Sequence, residues 1–159
     1  MTKPTEKLHY KVNELMQATV MVTTRSQTVE HARKVMHEHH VNCLPVAGPE
    51  GEVVGILTST DLLDGKSDGR KVSDVMTRTV QTVPLYADAS LAARTMRKHH
   101  LHHLVVVDEK KIVGVLSTFD LLEILEDKHS TRKNDRVAKK PRRLSGGRRE
   151  TDVHGHTGD

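Results

Sequence analysis

Two heptapeptides, GILTSTD at residues 55–61 and GVLSTFD at residues 114–120, share one pattern. Each begins with Gly, continues with two apolar residues and a hydroxyl residue, and ends on Asp. They lie 59 positions apart, and the residues around them also match. Internal repetition of this kind decides the architecture of a chain, because each copy is one supersecondary unit.

The matches extend along most of the chain. Identical residues first recur 60 positions apart, at Lys11/Lys71, Val12/Val72, Met16/Met76, Thr19/Thr79, Val20/Val80, Ala32/Ala92, Met36/Met96, His39/His99, His40/His100, Leu44/Leu104 and Val46/Val106. One turn residue is then lost, and the spacing becomes 59 at Val54/Val113, Gly55/Gly114, Leu57/Leu116, Asp61/Asp120, Leu62/Leu121 and Leu63/Leu122. The chain therefore contains two copies of one unit.

Each copy is predicted to have the element order β-α-β-β-α. A short helical segment (KVNELM, KVSDVM) leads to a brief strand around Val20 or Val80, and an amphipathic helix follows. Two β-rich runs separated by turn residues come next, and Asp61 and Asp120 stand where a final apolar helix begins. We place repeat one at residues 7–66, repeat two at 67–127 and a disordered basic tail at 128–159.

Charge and aromatic content exclude one class of function for the repeats. The tail has ten Lys or Arg against four Asp or Glu, whereas residues 1–127 carry a net charge of −2. Tyr10, Tyr86 and Phe119 are the only aromatic residues. Proteins that hold single-stranded nucleic acid stack bases on several such rings. The alternative of RNA, DNA or anionic-surface binding is therefore assigned to the basic tail, with the repeats as a dimerisation scaffold.

The remaining bulk features favour a soluble protein of a reducing compartment. Cys43 is the only cysteine, so an intrachain disulfide is excluded. No apolar run approaches the ~20 residues that span a bilayer, and the polar start MTKPTEKLHYK is unlike a signal peptide. We predict a cytoplasmic location and no membrane span.

The repeat resembles the cystathionine-β-synthase (CBS) domain, and two in tandem resemble a Bateman module. The resemblance covers about residues 7–126 and is carried by DVMT, LPV and HHLVVVD, and above all by the two heptapeptides. It implies an α/β (α+β) fold in which two β-α-β-β-α repeats pack with pseudo-two-fold symmetry. It also implies a homodimer and two clefts between the paired repeats.

The resemblance further implies a non-catalytic sensor of adenosine-containing ligands, such as AMP, ADP, ATP or S-adenosylmethionine, without a prosthetic group. The signature aspartate would accept hydrogen bonds from both ribose hydroxyls, and a carboxylate has the acceptor capacity for such a diol. The expected ligand-binding residues are Thr19, Val22, Val41, Asn42, Cys43, Thr58, Thr60, Asp61, Thr79, Leu101, His102, His103, Ser117, Thr118 and Asp120. No Ser/His/Asp arrangement, P-loop or pair of catalytic carboxylates is found, so an enzyme is not predicted.

The histidine-rich stretch HHLHH, residues 99–103, has two interpretations. The second repeat resembles those of the γ subunit of AMP-activated protein kinase, whose basic residues at this point face phosphates; the pair falls here on His102 and His103. Repeat one has Asn42 and Cys43 instead, so the clefts are expected to be unequal, with phosphates favoured beside Asp120. The alternative is a transition-metal site, because His99 and His103 lie four residues apart, as do His39 and Cys43.

Overall fold

The structure, a computed structural model, describes residues 9–63, 65 and 69–130, and both halves of that range contain related elements. In the first half these are α1 (Val12–Leu15), α2 (Val29–Glu38), β1 (Cys43–Ala47), β2 (Val53–Thr58) and a 3₁₀ helix (Ser59–Leu62). In the second half they are α3 (Val72–Val75), β3 (Thr82–Pro84), α4 (Ala89–His99), β4 (His103–Asp108), β5 (Lys111–Ser117), α5 (Thr118–Leu121) and α6 (Glu123–Ser130). The expected mixed α/β fold of two repeats is confirmed.

Two predictions concern residues at the limits of this range. The basic tail lies outside the described residues from position 131 onward, so its predicted disorder and nucleic-acid binding remain predictions. Within the described residues, no helix is long and apolar enough to cross a membrane.

The long helices form where the apolar spacing predicts them. α2 buries Val29, Ala32 and Met36 on one face, and the Thr28 hydroxyl accepts a hydrogen bond from the His31 N–H at 3.1 Å. Such a cap satisfies one of the amide groups that a helix start leaves unpaired. α4 repeats the apolar face 60 residues later. The two amphipathic helices therefore cover equivalent faces of the two repeats.

The strands form two small sheets, and one sequence prediction about them is wrong. β1 pairs antiparallel with β2, while β3 pairs parallel with β4, which pairs antiparallel with β5. The brief strand expected around Val80 lies at Thr82–Pro84, and around Val20 there is only a single parallel bridge between Thr23 and Val46. The segment leaves β5 at Gln17 and reaches β1 at Thr23, so Val20 lies between the sheets and forms no ladder.

The two repeats exchange their first helices. Val12 and Leu15 of α1 are buried in the core of the second half, against Leu104 and Leu116. In the reciprocal arrangement, Val72 of α3 and the adjoining Met76 are buried in the core of the first half. They pack there with Leu44, Val46 and Leu57. A four-residue helix is not stable alone in water, so its buried side chains, worth about 1.5–3 kcal/mol each, hold it in place.

Backbone hydrogen bonds fix each exchanged segment to the other repeat. The N–H of Gln17 donates to the carbonyl of Val115 at 2.9 Å, and the N–H of Val115 donates back at 3.1 Å. Thr77 and Ile56 exchange the equivalent pair of bonds at 2.9 and 3.0 Å. Beside α1, the Lys11 ammonium donates to Asp88 at 2.6 Å, and this hydrogen bond lowers the pKa of Asp88.

The strand glycines of the two heptapeptides make the exchange sterically possible. A Cβ atom on Gly114 would lie 2.5 Å from the sulfur of Met16 and 3.1 Å from the carbonyl oxygen of Gln17. A Cβ atom on Gly55 would meet Met76 and Thr77 in the same way. The room that glycine leaves in the strand is thus filled by the exchanged segment.

We expect Gly114→Ala to destabilise the protein by about 1–3 kcal/mol, the usual cost of overpacking a well-filled site. Urea unfolding of the variant measures this free energy. In a Met16→Ala background the same substitution should cost less, because the sulfur that the new methyl meets has been removed. Strictly additive costs of the two substitutions would show that this contact does not limit position 114.

Candidate functional site

A cleft of about 1080 Å³ lies where the exchanged segments cross between the repeats. Both repeats contribute to its walls. Of the residues predicted to bind a ligand, those that line it are Thr19, Val41, Asn42, Cys43, Thr58, Thr60, Thr79, Leu101, His102, His103, Ser117, Thr118 and Asp120. Asp61 and Val22 are not among its lining residues, and Val22 is 44% exposed. The cleft thus receives residues from both signature turns, Thr58–Thr60 of the first repeat and Ser117–Asp120 of the second.

Asp120 is a buried carboxylate in the wall of this cleft, with only 6% of its surface exposed. Its Oδ2 accepts a hydrogen bond from the backbone N–H of Ser117 at 2.8 Å, and its own N–H donates to the Ser117 hydroxyl at 3.1 Å. These reciprocal bonds form a capping box at the start of α5. On Oδ1 it accepts a bond from the side-chain amide of Gln17 at 3.1 Å. The carboxylate is therefore held in one orientation by neutral donors.

Asp61, the counterpart in the first repeat, has different surroundings. Its Oδ2 accepts both hydrogen bonds, from the N–H of Thr58 at 2.8 Å and from the Thr58 hydroxyl at 3.0 Å. Among the described residues, its Oδ1 has no hydrogen-bond partner, and the side chain is only partly buried. The two signature aspartates are thus unequal, although the heptapeptides that carry them are alike.

Five histidines line the cleft: His40, His99, His100, His102 and His103. His40 and His100 hold equivalent positions just after α2 and α4, both in the left-handed conformation, with φ near 52° and 53°. Such a residue commonly ends a helix, although glycine is the usual choice there. The stretch 99–103 is therefore a helix end followed by the first residue of β4.

His103 carries less positive charge than the sequence suggested. Burial lowers its pKa below the ordinary value, the neighbouring His102 lowers it further, and Asp120 partly opposes both. The imidazole of His103 is therefore protonated less readily than that of an exposed histidine. Of the described residues, no Lys or Arg lines the cleft.

The metal interpretation gains no support from the described residues. They contain no group of three or more His, Cys, Asp or Glu side chains able to hold an ion. α2 ends at Glu38 and α4 at His99, so neither pair of ligands four residues apart lies on one continuous helix. The spacing of four residues therefore does not place two metal ligands on one face of a helix in either repeat.

Cys43 lies at the first position of β1, where it lines the cleft but is only 6% exposed. Burial raises the pKa of its thiol to about 11. Since the thiolate is the reactive form, this cysteine is a small apolar wall residue rather than a nucleophile.

Sequence reasoning missed several residues of the cleft, of which Gln17 is the most informative. The others include Val20, Met21, Ile56, Gln81 and Phe119. The aligned repeats did contain a signal for Gln17. It stands at the position of Thr77, immediately after the matched methionines, and so breaks the repetition at a point that the structure brings against Asp120.

The sequence of the chain matches a family model and several known proteins. The CBS domain family model matches residues 12–68 and 72–127. An uncharacterized protein of Methanocaldococcus jannaschii is 31% identical over 132 residues, covering 81% of this chain and 49% of that protein. A homoserine O-acetyltransferase of Methanosarcina acetivorans is also 31% identical, over 69% of this chain and 21% of the enzyme. The chain thus spans half or less of these curated relatives.

A solved structure shares the architecture of the chain. The CBS domain pair of protein MJ0100, in complex with 5′-methylthioadenosine and S-adenosyl-L-methionine, superposes with a TM-score of 0.68 at 26% sequence identity. The alignment covers 76% of this chain and 98% of the MJ0100 chain.

We expect the thiol of Cys43 in the native protein to react about 100-fold more slowly with a disulfide reagent at pH 8 than the same thiol in guanidinium, because its pKa of about 11 leaves little thiolate. The absorbance of the released thiolate follows both reactions. Native and denatured rates within a factor of ten would contradict the burial of this side chain.

Proposed function

The chain belongs to the CBS domain family, and on that premise we propose that it is a non-catalytic regulatory module that binds an adenosine-containing ligand in the cleft between its repeats. The observation that carries the proposal is Asp120, a buried and oriented carboxylate in the wall of a cleft large enough for a nucleotide. The candidate ligands are AMP, ADP, ATP and S-adenosylmethionine.

The chemistry of the cleft suits a nucleoside. A ribose presents two vicinal hydroxyl donors, and the two carboxylate oxygens of Asp120 are the acceptors that suit such a diol. Apolar side chains from both repeats, among them Met21, Val41 and Leu101, line the same space and would flank an adenine ring. A cleft of about 1080 Å³ is slightly larger than the range of about 300–1,000 Å³ for small-molecule sites, so a nucleotide has room in it.

The relatives support the class of ligand and the absence of catalysis. The MJ0100 domain pair was solved with two adenosyl compounds, which share the adenine and ribose that this cleft would recognise. The homoserine O-acetyltransferase matches over only 21% of its length. A segment that forms so small a part of an enzyme fits a regulatory attachment better than a catalytic domain.

Regulation would follow from the position of the ligand between the repeats. A ligand changes an equilibrium between two arrangements only when it binds one of them more tightly. A nucleoside on Asp120 would also contact residues of the first repeat, and its affinity would then depend on how the repeats are placed. A separate partner would sense that change.

Asp120→Asn should weaken binding of the adenosyl ligand by about 10- to 100-fold, the usual cost of losing a hydrogen bond to a charged acceptor. The amide preserves the size of the side chain and can still accept from Ser117. Isothermal titration with AMP, ADP, ATP and S-adenosylmethionine measures the effect. Asp61→Asn is the matched control and should change affinity less, because Asp61 does not line the cleft. Equal losses in both variants would refute this assignment.

Binding of AMP should strengthen by about tenfold as the pH falls from 8 to 6, whereas binding of uncharged adenosine should change little. Five histidines, Cys43 and Asp120 line the cleft among the described residues, and a protonated imidazole there would attract the phosphate. The lowered pKa of His103 places its own contribution at the acidic end of this range. Titrations of both ligands across the range test this, and parallel curves would show that phosphate does not meet the histidines.

We also propose that the chain forms a homodimer through exposed apolar side chains. Leu63, Phe119, Leu122 and Leu125 are 80%, 79%, 50% and 56% exposed, and three of them lie on α5, α6 and the junction between them. Clustered exposure of large apolar residues is characteristic of interaction surfaces. Sedimentation velocity should show a dimer for the wild type and a monomer for Leu122→Glu. A wild-type protein that stays monomeric at the highest concentration tested would contradict the proposed dimer.

A further inference from the structure

We propose that Gln17 competes with the ribose diol for Asp120, and thereby sets the affinity of the cleft for ribose-containing ligands. The inference deepens the proposed function and rests on it. The side-chain amide of Gln17 donates to Oδ1 of Asp120 at 3.1 Å, across 103 residues of sequence. It is the one side chain of the first repeat that forms a described hydrogen bond with the signature aspartate of the second.

Because Asp120 is buried, its hydrogen bond to Gln17 hinders a ligand from bonding to the same carboxylate. Only 6% of the residue is exposed, and its other oxygen, Oδ2, is already bonded to the N–H of Ser117 at 2.8 Å. Little surface of Asp120 is therefore left for a diol, and the Gln17 amide already occupies Oδ1. A buried carboxylate that lost this donor without replacement would be destabilised, so the amide and a ribose hydroxyl are alternative partners for the same atom.

Gln17 can leave without disturbing the fold. Its backbone N–H and carbonyl are both bonded to Val115, at 2.9 and 3.1 Å, and these bonds hold the chain in place. Its side chain is exposed, and within the described part of the chain its one hydrogen bond is the bond to Asp120. Displacement is thus a rotation of one side chain, which returns the amide to water.

The equivalent junction of the first repeat lacks the competing amide. Thr77 occupies the equivalent backbone position, bonded to Ile56 at 2.9 and 3.0 Å, and its side chain is too short to repeat the contact. Asp61 correspondingly has no described partner on Oδ1. Threonine is therefore a residue that this junction accommodates, and Gln17→Thr converts the second repeat to the pattern of the first.

The test is isothermal titration of adenosine and of 2′,3′-dideoxyadenosine into the full chain and its Gln17→Thr variant at pH 7.5. Adenosine should bind the variant about three- to tenfold more tightly, the worth of one hydrogen bond no longer broken on binding. Dideoxyadenosine has no diol and should bind both proteins equally. Gln17→Met, which keeps the side-chain length and lacks the donor, should give the same gain.

Gln27→Thr is the matched control, because Gln27 is exposed at the other exchange junction, where its carbonyl accepts from Val72, and it does not line the cleft. It should leave both affinities unchanged. Unchanged or weaker adenosine binding by the Gln17 variants would overturn the competition, as would an equal gain for both nucleosides. If wild type binds neither adenosine nor the four candidate ligands while melting cooperatively, the proposed function itself fails and the competition fails with it.

Discussion

The exchange of α1 and α3 is the constraint on which the rest of the structure depends. Each repeat closes its core with a helix encoded about 60 residues away, and Val12 and Val72 are both fully buried in the partner repeat. Neither sheet could lose its exchanged helix without exposing a leucine-rich face. The exchange also determines where the cleft lies, because residues 17–23 must cross from β5 to β1 and residues 77–82 must cross in the opposite sense. A site between the crossings is a consequence of how the cores are completed.

The same crossing makes two nearly identical motifs chemically different. GILTSTD and GVLSTFD both place a carboxylate at the first turn after a strand, and both receive the N–H three residues earlier. What differs is the residue at the equivalent position of the exchanged segment, Gln17 in one case and Thr77 in the other. Asp120 is buried and accepts hydrogen bonds on both oxygens, whereas Asp61 is partly buried and, among the described residues, accepts them on one. The hydrogen bond that distinguishes the two aspartates thus comes from an exchanged segment rather than from the signature.

Local features could be predicted from the sequence, whereas features that depend on the exchange of α1 and α3 could not. The repeat spacing and the helical period of Val29, Ala32 and Met36 correctly predicted two related units with amphipathic helices. Periodicity is a local signal, however, and the apolar face of α1 would suit either core, so the partner of that helix could not be read from it. Val20 was predicted as strand because β-branched residues favour strands, but between the sheets it has no neighbour to pair with. The lowered pKa of His103 could not be predicted from the sequence for a similar reason, since it comes first from burial.

Burial and exchange together explain how a cleft with little fixed charge could still respond to a ligand. Among the described residues, no Lys or Arg lines it, whereas Asp120 and five histidines do. A ligand with a ribose gains at Asp120 only what remains after the Gln17 amide has been released. Gln17 belongs to the segment that follows α1, where backbone hydrogen bonds to Val115 join the first repeat to the second. Release of the Gln17 amide from Asp120 would therefore occur at this junction. Differential affinity for two arrangements of the repeats requires a contact that both repeats share. The Gln17–Asp120 hydrogen bond is such a contact, and the first repeat has no equivalent of it among the described residues.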